Sequence, residues 1–62
     1  MTHTYRILFL DISQTVTRQQ DIEARDDLAA VDRADHMAGR QGAEVWDGLR
    51  QVARLARDRA HA

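Results

Sequence analysis

The chain predicts an α+β domain of two layers: a small antiparallel or mixed sheet of four strands in ββαββ order, with one helix on one face. Three observations carry this. Tyr5-Arg6-Ile7-Leu8-Phe9-Leu10 is apolar on both of its alternating faces. Asp26-Asp27 opens a helical stripe of small apolar residues that Gly39 closes. Asp47-Gly48 lies between apolar residues, a hairpin signal, because Gly supplies the positive φ of a tight turn at no steric cost.

In the first strand Tyr5, Ile7 and Phe9 point one way and Arg6, Leu8 and Leu10 the other. Apolar residues on both sides suit a central strand, or one face on a helix and the other against a partner. Asp11 ends the strand and Ser13-Gln14 makes a short turn. Residues 15–23 read as a weak second strand, antiparallel to the first, with Val16, Arg18, Gln20 and Ile22 on one face.

The helix follows. Asp26 or Asp27 caps its start by accepting first-turn amide hydrogens, and both favour the positive end of the helix dipole. Leu28, Val31, Ala34 and Ala38 form one stripe, widened by Ala30 and Met37. Gly39 is the residue past the end, where a left-handed conformation stops a helix cheaply.

Residues 45–55 admit two readings. Val45, Leu49, Val52 and Ala56 fall at helical spacing, which gives the alternative fold ββαα with a C-terminal helix. Two strands are preferred. Gly42 and Gly48 would each cost a helix interior about 1 kcal/mol relative to Ala. Val45, Trp46 and Val52 favour pleated surfaces. A two-residue turn pairs Trp46 with Leu49, and a three-residue loop with a bulge pairs Val45 with Leu49. The ordered core then spans about residues 4–55 of a single domain, 1–62, and residues 56–62 are a polar tail or a short helical turn.

Size and composition narrow the functions. Sixty-two residues bury roughly 60% of the surface that the unfolded chain exposes, so such a domain is marginal alone. With no cysteine there is no disulfide framework, and His3, His36 and His61 lie too far apart for a metal motif. That leaves association as the expected source of extra stability. Ten acidic residues against nine basic ones, all nine of them Arg, give a net charge of −1. This balance argues against a general nucleic-acid or membrane binder. No apolar run approaches the roughly 18 residues of a membrane span, and residues 7–10 are too short for the core of a signal peptide. A cytoplasmic protein is the expectation.

The pattern resembles a group of small bacterial proteins with no assigned activity. The resemblance rests on a first strand like Tyr5-Arg6-Ile7-Leu8-Phe9-Leu10-Asp11, the acidic stretch Asp21-Ile22-Glu23-Ala24, the helix start Asp26-Asp27-Leu28-Ala29-Ala30, and Glu44-Val45-Trp46-Asp47-Gly48 leading into Arg50-Gln51-Val52-Ala53-Arg54-Leu55. It covers about residues 4–55 and implies a ββαββ domain and no particular chemistry. Residues 56–62 depart from it.

Candidate chemistry is thin. Asp11-Ile12-Ser13-Gln14-Thr15-Val16 resembles the first motif of the haloacid-dehalogenase phosphatases, but Ser13 replaces their second Asp. The chain also has no Lys and no room for the rest of that site, so Asp11 reads as a turn residue. Asp32 and His36 share a helix face, yet two ligands are too few for structural zinc. Arg50, Arg54, Arg57 and Arg59 make the C-terminal end slightly basic, too little for a surface that tracks phosphates. Gly39-Arg40-Gln41-Gly42 follows a helix instead of leading into one, so it lacks the amides that hold phosphate.

The sequence therefore predicts no enzyme, no catalytic residue, no cofactor and no metal. It predicts a protein-interaction module that forms a homodimer or docks on a larger complex through an uncovered sheet face or edge. Tyr5, Phe9, Trp46, Arg50 and Arg54 are the interface candidates, although Tyr5, Phe9 and Trp46 serve equally as strand packing. The alternative is a small nucleic-acid-associated regulator using the C-terminal Arg residues.

Overall fold

Strand β1 (His3–Leu10) runs through the interior of the sheet, flanked by β2 (Val16–Ala24) and β3 (Gly42–Asp47), as its two-sided apolar pattern requires. A computed structural model describes residues 1–39 and 41–55. The predicted tail at 56–62 lies outside the described residues. Strand β4 (Arg50–Leu55) completes a four-stranded sheet in the order β2-β1-β3-β4, and every neighbouring pair is antiparallel. Helix α1 (Asp27–Ala38) lies across one face. The fold is the ββαββ arrangement, and residues 45–55 are strands.

Local chemistry fixes the helix. Asp26 is the N-cap: its backbone is extended and its carboxylate accepts from the Ala29 amide at 2.8 Å. Gly39 adopts φ +61° and ends the helix. The stripe that packs is narrower than its apolar pattern predicts. Ala30, Ala34 and Ala38 are buried, flanked by Val31 and Met37, whereas Leu28 is 79% exposed. Leu28 stands two positions before Ala30, about 200° around the helix, so a line of alanines pressed on the sheet turns it to solvent. Because alanine carries only a methyl, this line lets the helix sit close over Tyr5, Ile7, Phe9, Ile22, Ala43 and Val45.

Two bulges adjust the sheet. Phe9 pairs with Arg18 but Leu10 pairs with Val16, leaving Thr17 as the extra residue of β2. This insertion takes Val16 out of the face that simple alternation assigned it with Arg18, Gln20 and Ile22. In the hairpin, Val45 pairs with Ala53 and Trp46 with Gln51, so Val52 is extra. The turn itself is Gly48-Leu49 between paired Asp47 and Arg50, which is neither predicted register. Gly48 has φ +64° and Leu49 is not left-handed. Positive φ at the first central position only is the pattern of a II′ turn, which places Gly first and any residue second.

Candidate functional site

The face of the sheet opposite α1 carries Thr4, Arg6, Leu8 and Leu10 of β1 and, by pairing, Gln19, Asp21 and Glu23 of β2, Glu44 and Trp46 of β3, and Gln51 and Arg54 of β4. Within the described residues no element lies across this face. Leu8 and Trp46 sit diagonally to one another on the two interior strands, each half-buried. The Trp46 indole N–H donates to Glu44 Oε1 at 3.0 Å, which fixes the ring along its strand. Arg54 approaches Glu44 Oε2 at 3.9 Å and donates to Gln14 Oε1 at 2.7 Å, joining β4 to the β1–β2 turn. Leu10 is 5% exposed at that end. At the other, a shallow depression is lined by Thr4, Arg6, Asp21, Gly48 and Leu49, with Arg6 and Asp21 in an ion pair at 3.3 Å. The arrangement is an apolar pair, Leu8 and Trp46, bordered by partly screened charges.

The sequence-predicted residues separate. Trp46 and Arg54 meet on this face through Glu44. Tyr5 and Phe9 do not join them: they are 1% and 0% exposed beneath α1, and so belong to the core. Arg18 lies over the Phe9 ring at 4.4 Å, adding a cation–π contact.

Arg50 is on the helix side, at the centre of a cluster that local sequence patterns do not reveal. Its two terminal nitrogens donate to the two Asp27 oxygens at 3.1 Å each, a bidentate pair, and one also donates to Asp47 Oδ2 at 3.0 Å. The Tyr5 hydroxyl donates to Asp27 Oδ1 at 2.9 Å. Arg50 and Tyr5 together hold the Asp27 carboxyl below its ordinary range. Burial, helped by the neighbouring Asp27 carboxylate, pushes the Tyr5 hydroxyl up to about 12. The Tyr5 hydroxyl and both terminal nitrogens of Arg50 have carboxylate partners, and these bonds tie the start of the helix to the sheet.

Asp11 is occupied in the same sense. Its Oδ1 accepts from the Ser13 amide at 2.9 Å, the Ser13 hydroxyl at 2.7 Å and the Thr15 amide at 3.1 Å. The hydroxyl bond is the main cause of its lowered pKa. These bonds support the sharp β1–β2 turn, where Gln14 takes φ +69°. Asp32 and His36 are exposed on the outer face of α1. No group of three or more His, Cys, Asp or Glu side chains converges as a metal site among the described residues. No described helix is long and apolar enough to cross a membrane.

Comparisons with protein-family models, with curated proteins and with solved structures find no match to this chain.

Proposed function

We propose that this chain is a non-enzymatic protein-interaction module that docks through the face of its sheet opposite α1. The observation that carries the reading is Trp46: a half-buried indole on an interior strand, held by Glu44 and beside Leu8, on a face that no described element lies across. A rigid aromatic ringed by polar groups is the usual composition of an interface centre. A cytoplasmic role belongs to this reading and rests on the cysteine-free sequence.

A phosphate-binding role has less support. Arg50 already holds Asp27 and Asp47, Arg54 holds Glu44, and Arg6 holds Asp21, so a nucleic-acid backbone would have to displace carboxylates. Catalysis at Asp11 would need a carboxylate that the turn already uses.

The test is sedimentation of the purified chain over a range of micromolar concentrations, alone and with binding proteins selected against it. Leu8→Thr and Trp46→Thr keep strand-forming residues and remove the apolar pair. Loss of association in both variants, with an unchanged circular-dichroism spectrum, is the expected result. Binding of a partner protein that survives both substitutions overturns the reading.

A further inference from the structure

The two edges of the sheet are not equivalent. Edge strand β4 has six residues and carries the Val52 bulge, and its first residue is clamped to α1 through Asp27. Short length and a bulge are ways in which sheets blunt an edge against further pairing. Edge strand β2 has nine residues, and its stretch from Arg18 to Ala24 runs in unbroken register against β1 with no Pro, Gly or Lys. Its outer backbone groups have no strand beside them within the described chain. Residues 18–21 are exposed on both faces.

We propose that β2 pairs antiparallel with β2 of a second copy, joining two sheets into one of eight strands about a two-fold axis at Gln20. Charge selects this register. An axis at Asp21 sets that carboxylate against itself, and an axis at Arg18 does the same to a guanidinium, both unfavourable for directly opposed residues. An axis at Gln19 draws the bulged Thr17 into the ladder. An axis at Gln20 uses residues 18–22 alone: Gln20 meets Gln20, the Gln19 amide meets the Asp21 carboxylate, and the Arg18 stem lies along Ile22. The contact is isologous, as a closed dimer requires. It is also small, so the dimer is a weak one. It uses the edge, not the face, and so stands independently of the proposed docking surface; the two helices would lie on the same side of the joined sheet, leaving that surface free.

The experiment is sedimentation of the full chain with Gln20→Lys and Gln20→Glu, changes at an exposed edge position that leave the core untouched. The expected result is a concentration-dependent dimer for the native chain and a several-fold weaker one for each variant, with recovery when Lys and Glu variants are mixed. The alternate amides of residues 18–22 that face away from β1 should also gain hydrogen-exchange protection as concentration rises. A native chain that stays monomeric throughout overturns the edge pairing and leaves the face reading standing. A dimer indifferent to Gln20→Lys but lost in Trp46→Thr overturns it in favour of self-association through the face.

Discussion

The two faces of one sheet differ in what holds them. Beneath α1, Tyr5, Ile7, Phe9, Ala43 and Val45 are at most 1% exposed, and no polar residue is buried among the described positions. On the opposite face the apolar residues are Leu8, Leu10, Trp46 and the more exposed Val16, and Arg6–Asp21 and Arg54–Glu44 ion pairs lie beside them. The same strand, β1, supplies both. One face is stabilised by burial, which is non-directional and large. The other is ordered by exposed charge pairs, each worth little. Substitutions on the first should act on folding, and those on the second on association.

Phe9→Ala should be the most damaging. Removing a buried phenyl costs about 3–5 kcal/mol, and a domain of this size has about that much in total. Circular dichroism at room temperature should show a largely unfolded chain; a cooperative transition near the native midpoint would mean that Arg18 and the helix do not close over that ring.

Gly48→Ala comes next. It forces a methyl-bearing residue to positive φ in the turn, at about 1–2 kcal/mol. Chemical denaturation should show a lower midpoint with an unchanged slope.

Tyr5→Phe should act mainly through pH. The Tyr5 hydroxyl is raised from 10.0 to about 12, so its contribution is complete below pH 10 and is lost as pH rises toward 12. Asp27 is lowered, so its contribution is complete above the ordinary carboxylate range and is lost as pH falls through its folded value. Denaturation at graded pH should show the alkaline decline of the native chain flattened in Tyr5→Phe, while Arg50→Gln weakens the acid-side decline. An alkaline limb unchanged in Tyr5→Phe would remove the hydroxyl from the account. Leu8→Thr should move stability least, because its side chain is only partly covered.

Much of this division is written in short-range pattern. The two-sided apolar run of β1 announces an interior strand, Asp26 and Gly39 bracket the helix, and Gly48 announces a hairpin. What local pattern does not carry is what distant segments decide together. Leu28 belongs to an acceptable stripe until the sheet selects the alanine line instead. The register around Gly48 depends on the Val52 bulge, which no residue type marks. Tyr5 and Phe9 are equally plausible on either side of a strand until the helix chooses one. Arg50 and Asp27 are separated by 23 residues, and only the completed fold brings them together; acidic residues at a helix start and an Arg after a turn are each unremarkable alone. The face around Trp46 was legible in part: the tryptophan as a sheet-packing or anchoring residue, but not its bond to Glu44.

The Asp27–Arg50 bond has a mechanical consequence. It fastens the first residue of the helix to the first residue of the last strand, while Tyr5 ties the opening strand to the same carboxylate. Chain segments made far apart in synthesis are thus locked at a common corner. β4 is an edge strand, yet peeling it away from its hairpin end would also break the bond that holds the start of the helix.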